Sequence, residues 1–222
     1  IEETAEDGTV TQLKDPATLQ TTTIEGLRSV KCYGSSMSFK AKLQKIPGIY
    51  GVKVFVNRHT ADLLYDPAVT NPDKIQEAIY VPSKFKVNSL EPGSTDSLKV
   101  VTIRTEGMYD KMDINYLGLQ MRGTEKKIYG LETEFACPLI VRVYMHPEEN
   151  LDKKWFKEIV EMEALEMPVH GGGTRLIEID YEFVKLEDEV EFIDTESFIR
   201  KMFNPFKAQF KKRVEENADK KQ

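Results

Sequence analysis

The chain is short of most residues around which site chemistry is built. Its 222 residues include two cysteines, Cys32 and Cys137, three histidines and one tryptophan. Two cysteines allow at most one bridge, which excludes a disulfide scaffold and leaves the compartment open. No run approaches the roughly 18 to 20 consecutive apolar residues of a helical membrane span, so none is expected. Clustered positive charge is also missing. With a formal net charge of −6 and scattered basic residues, the chain lacks the stripe that would meet nucleic-acid phosphates. The one basic group, Lys207, Lys211, Lys212 and Arg213, gives way to acidic residues and reads as a solvated helix face. A nucleophile elbow, His-Glu-x-x-His, a phosphate-binding glycine loop and a dinucleotide fingerprint are all absent from the sequence, so no enzyme is expected. His170-Gly171-Gly172-Gly173 is similar to an esterase oxyanion-hole sequence, but no nucleophile accompanies it.

What is present is an ordinary globular composition, 40% hydrophobic and 31% charged, sufficient for one or two domains with real cores. The chain starts at Ile1 rather than Met, and Ile1 to Asp7 is acidic and polar. That opening fits a leader left behind a removed signal, and it leans the expectation toward the periplasm or secretion rather than the cytoplasm. Residues 1–20 read as flexible leader.

The strongest local signal follows Pro47-Gly48-Ile49. Val52, Val54 and Val56 alternate with Lys53, Phe55 and Asn57 at the period of a half-buried strand, and Asn57-Arg58-His59-Thr60 turns the chain into Ala61 to Tyr65-Asp66-Pro67. Upstream, Ser36 to Ile46 offers a short amphipathic helix. Downstream, Asn71-Pro72-Asp73 opens another, with Ile75, Ala78 and Ile79 on one face. The expected order over 21–90 is strand, helix, strand, strand, helix, strand.

That order resembles a ferredoxin-like α+β sandwich, and the residues resemble the heavy-metal-associated domain family. In that family the first strand ends in a Cys-x-x-Cys loop, and a helix and a Pro-Gly-Val-x-x-Val-x-Val hairpin closing in Tyr-Asp-Pro follow. Counting back from Pro47 puts Cys32 on the first metal cysteine and Ser35 on the second, so half of the ligand pair is missing. The resemblance implies copper(I) or zinc bound at Cys32 and handed to a metal-transfer protein. A lone thiolate needs a second soft ligand. Met37 is one source, if it leaves the inward face of its helix, and Cys32 of a second molecule, in a homodimer, is the other. A plain buried cysteine with no metal is the bland alternative. The first and third strands are expected to run parallel, with the turn before the fourth strand beside the Cys32 loop. There Lys84 and Phe85 match the lysine or aromatic with which the family offsets thiolate charge. His59 is expected at the opposite end.

The order recurs more weakly over 97–186, which suggests tandem βαββαβ sandwiches joined by Glu91-Pro92-Gly93-Ser94-Thr95-Asp96. Val100 to Arg104 reads as a strand, Asp110 to Arg122 as a helix, Leu139 to Tyr144 as a strand, Asn150 as the cap of a helix with Leu151, Trp155, Ile159 and Val160, and Arg175 to Lys185 as the last strand. Asp110 and Asp113 stand at the spacing where the resemblance would place cysteines, and topology adds His170. Such a hard set, with Met108 or Met112 nearby, suits zinc or manganese better than copper. Asp110 is equally a helix cap, and the triple glycine equally a flexible turn. Residues 187–222 read as a C-terminal helical tail whose stripe of Phe198, Ile199, Met202, Phe203, Phe206 and Phe210 packs on its own domain. Two readings stand: soft-metal binding or transfer through a reduced ligand set, and a protein-interaction or ligand-binding module that keeps only the scaffold.

Overall fold

A computed structural model describes residues 2–4, 10–12, 15–169 and 171–203. The fold is mixed α and β. It divides into two units, Ile1–Val81 and Pro82–Gln222.

The first unit opens with a hairpin of β1 (Glu2–Thr4) and β2 (Val10–Gln12). It continues through β3 (Gln20–Ile24), α1 (Tyr33–Leu43), β4 (Ile49–Phe55), β5 (Thr60–Tyr65) and α2 (Pro72–Ile79). The sheet order β3-β5-β4 puts β5 in the middle, and its alternation buries Ala61, Leu63 and Tyr65. These side chains meet Ile24, Leu27 and Val30, together with Leu43 of α1 and Ile75 of α2. Leu43 is fully enclosed, so truncating it to Ala would cost about 2–5 kcal/mol. The helix signals act where the sequence places them: Asn71 Oδ1 accepts from the Lys74 N–H at 2.9 Å, and Pro72 occupies the first helical position. Lys42 Nζ ties the two helices by donating to the Ile79 carbonyl.

Strand direction differs from expectation. β3 and β5 are antiparallel, not parallel. A crossover helix returns the chain in the same direction, so β4 is the strand that follows β3, and the hairpin then reverses β5. The hairpin turn therefore lies at the end where β3 finishes. The Leu27 N–H donates to the His59 carbonyl at 2.8 Å, which moves His59 from the opposite end to the same one.

The second unit comprises β6 (Lys84–Lys86), β7 (Ser97–Glu106), α3 (Lys111–Arg122), β8 (Ile128–Glu134), β9 (Leu139–Met145), α4 (Lys153–Val160), β10 (Ala164–Pro168), β11 (Thr174–Glu178), β12 (Glu182–Asp194) and α5 (Thr195–Phe203). Its main sheet runs β12-β7-β9-β8-β6 with every neighbour antiparallel. The β10-β11 hairpin stands apart as its own two-stranded sheet. What reads as one strand over 175–185 is thus split between β11 and β12. α4 starts two residues later than expected, because Asp152 rather than Asn150 caps it by accepting from the Trp155 N–H.

The segment expected as the fourth strand of the first copy belongs to this sheet. β6 pairs with β8, Phe85 opposite Leu131, and the Val81/Pro82 division falls before the 91–96 stretch expected as linker. Side-chain fit explains the choice. Phe85 packs onto α3 at Gly118, where an added Cβ would stand 2.0 Å from the ring. Arg122 lies over the same ring, 5.0 Å from its centroid, and donates to the Val87 and Lys86 carbonyls. Ser83 and Thr133 exchange hydrogen bonds across the pair.

The expected helical tail is strand up to Asp194, and its helix is α5. Phe198 and Met202 of α5 bury against Leu98, Val100, Tyr129 and Tyr144 on one sheet face, while Ile199 stays 41% exposed. Lys201 Nζ meets Glu132 Oε2 at 2.6 Å and Tyr144 Oη at 2.8 Å, which fastens the helix end to the sheet. Phe206 and Phe210 lie outside the described residues.

Candidate functional site

Cys32 is an exposed free thiol, and it sits in a loop rather than at the tip of a strand. β3 ends at Ile24. Leu27 and Val30 then bury as the loop crosses the core edge, and Cys32 becomes the N-cap residue of α1 in extended conformation. The free amides of a helix start point at whatever occupies this position. Here that is the sulfur. The Ser35 N–H directed at Sγ, then the Ser35 hydroxyl at 3.5 Å, then the Gly34 N–H hold the thiol pKa below its ordinary value against a small desolvation effect. The thiolate form is the nucleophile and the metal ligand.

Ser35, aligned with the missing second cysteine, is occupied by the loop itself. Its Oγ accepts from the Lys31 N–H at 2.9 Å and the Cys32 N–H at 3.0 Å, and donates to the Cys32 carbonyl at 2.9 Å. This is a capping-box role, which sets the loop's shape rather than supplying a donor to a metal. Met37 is 45% exposed, so it does not occupy the inward face expected of it. It lies five residues along from Cys32, about 1.4 turns of helix. Tyr33, next to the thiol, is 77% exposed.

Lys84 and Phe85, expected to flank this loop, are residues of the second unit's β6. Lys84 Nζ contacts Glu132 at 3.4 Å and donates to the Lys201 carbonyl, and Phe85 is spent on Gly118. His59 is the residue that sequence reasoning set aside and that the fold brings to the Cys32 end, through its backbone carbonyl. Correct strand polarity was the signal that would have found it.

The corresponding loop of the second unit is closed by its own aspartates. Asp110 caps α3 by accepting from the Met112 N–H at 2.6 Å. Asp113 is buried, with Oδ2 accepting from the Tyr109 and Asp110 N–H groups at 2.7 and 2.8 Å and Oδ1 accepting from the Tyr181 hydroxyl at 2.9 Å. Burial first, and the Asp110 charge second, push the Asp113 pKa up to about 6 despite these donors. The Met108 sulfur accepts from the Thr105 hydroxyl, inside the core. His170, the third member expected there, lies outside the described residues. Among the described residues no group of three or more His, Cys, Asp or Glu stands close enough together to hold a metal ion, and no helix is long and apolar enough to cross a membrane.

Cys32 offers this loop's one thiolate as a donor. That single donor does not fit zinc, whose sites take three or four protein ligands.

No family model matches the chain, and no curated protein matches it. Among solved structures the chain is similar to the N-terminal soluble domains of Bacillus subtilis CopA, solved in solution. The two share 20% identity over 77% of this chain and 95% of that one, with a TM-score of 0.25.

Proposed function

We propose that the protein binds copper(I) through the Cys32 thiolate and passes it on by ligand exchange, without catalysing a reaction. One observation carries this reading: the thiol is exposed and its ionised form is favoured by the start of α1. An ion held by one loop ligand and one outside ligand exchanges stepwise: one acceptor donor replaces the outside ligand, a second then replaces the Cys32 sulfur, and each bond formed to the ion matches one broken. The exposed Tyr33, next to Cys32 in the chain, supplies apolar surface against which a donor or acceptor protein could rest. The family frame around Pro47-Gly48 and Tyr65-Asp66-Pro67, and the strand order β12-β7-β9-β8 with α3 and α4 in the second unit, support reading both halves as ferredoxin-like relatives.

A second reading has its own support. Ser35 and Asp113 are both absorbed into loop closure, which is what a scaffold that has lost its metal chemistry would show. In that case the protein is an interaction module. Titration of copper(I) and zinc into reduced protein against a competing chelator separates the two. Wild type, Cys32→Ala and Cys137→Ala are compared, since Cys137 is exposed too. Copper binding that survives C137A and disappears in C32A supports transfer through Cys32; binding no stronger than the chelator background in wild type sinks it.

A further inference from the structure

The two larger sheets end in four edge strands, β3 and β4 in one, β6 and β12 in the other. An edge strand offers unpaired N–H and C=O groups to any passing strand, and proteins block this with charge, bulges, proline or shortness. Three of the four edges carry such devices. β4 has a register break between Ile49 and Gly51 and carries Lys53. β6 is three residues long with lysine at both ends. β12 has two register breaks and carries Glu182, Glu187, Asp188, Glu189 and Glu191.

β3 has none of them. Its sequence is Gln20-Thr21-Thr22-Thr23-Ile24, uncharged, without glycine or proline, and in unbroken register with β5 from Gln20 opposite Tyr65 to Ile24 opposite Ala61. Threonine is also among the residues that favour a strand. Among the described residues no strand pairs with its outer side, because the segment expected there, around Lys84 to Lys86, belongs to the second unit's sheet.

We propose that this edge is a homodimer interface: β3 pairs antiparallel with β3 of a second copy about a two-fold axis at Thr22, joining two three-stranded sheets into one of six strands. The sequence is self-complementary under that operation. Thr22 faces the partner's Thr22, Thr21 faces the partner's Thr23, and Gln20 faces the partner's Ile24, so no like charges meet and cross-strand threonines pair favourably. Thr21 and Thr23 are exposed on one face, with Thr23 Oγ1 donating to Asp62 of its own sheet at 2.9 Å, while Ile24 is buried on the other. The inference is independent of the copper reading.

The test is sedimentation velocity of the full chain over a range of concentrations, in the C32A background so that no dimer can form through that thiol. Thr21→Lys with Thr23→Lys sets lysine opposite lysine twice across the axis and should raise the dimer dissociation constant at least about tenfold. The pair Thr21→Glu with Thr23→Glu should do the same. Mixing the two variants should restore a dimer, which a misfolded variant would not do. A wild-type monomer at every concentration overturns the proposal and leaves β3 to a strand from another protein. A dimer indifferent to both pairs of substitutions also overturns it and puts the contact elsewhere.

Discussion

Phe85 and Gly118 are in contact across two elements, and a single methyl group added at Gly118 would stand 2.0 Å from Phe85 Cδ1. The contact decides which sheet receives β6. Gly118→Ala should therefore force the ring out, loosen β6 from β8 and lower the unfolding free energy by about 1–3 kcal/mol, the range for overpacking a filled site. Denaturant melts check this. Adding Phe85→Ala to Gly118→Ala should recover part of the loss, because the two residues share one space and their effects do not add. Full additivity would mean that the contact does not hold β6.

Cys32 should react as a thiolate at lower pH than an ordinary cysteine. The cause is the Ser35 N–H and hydroxyl, followed by the Gly34 N–H, which favour the charged form. In the C137A background, the rate of alkylation by iodoacetamide against pH should show a midpoint below the usual thiol value. Ser35→Ala should move that midpoint upward and cost about 1 kcal/mol of stability through the lost capping box. A midpoint unmoved by the substitution would show that Ser35 does not tune the sulfur.

Asp113 should give a stability that falls as pH rises. Its folded pKa is raised to about 6 from 3.8, so between those values the native state holds a proton that the unfolded state has released. Its contribution is fully present below about pH 4 and is lost as pH climbs to about 6, on the order of 1–3 kcal/mol. Asp113→Asn keeps the shape and should flatten that part of the profile, measured by urea unfolding at successive pH values. A profile for D113N parallel to wild type would place the titration elsewhere.

Local periodicity and capping were legible in the chain. β5 buries Ala61, Leu63 and Tyr65 as its alternation requires, Asn71 and Pro72 start α2, Asp110 caps α3, and Phe198 and Met202 face the second unit's core. Each depends on neighbours within a few positions. The exposure of Cys32 was left open, because a cysteine buried at the end of a strand fits the same local residues. Partner choice was not legible. Lys84 to Lys86 reads as a strand in either sheet, and nothing within that triplet says that Gly118, some thirty residues on, leaves the room that Phe85 fills. Strand polarity was misjudged for a similar reason: the sequence shows that a helix intervenes between β3 and β4, while the direction in which the chain returns is a property of the crossover.

By itself the sequence determined where α1, β4, β5, α2 and α3 stand, the apolar face of α2 and the presence of one cysteine where the resemblance would have two, because periodicity, caps and composition are written in adjacent residues. Only the tertiary structure decided that β6 leaves the first sheet, that β3 is left with an unguarded edge, that Ser35 is spent on its own loop and that Asp113 lies inside. Those outcomes depend on which distant side chains fit together and which polar atoms burial obliges to pair, and neither is encoded at any one position.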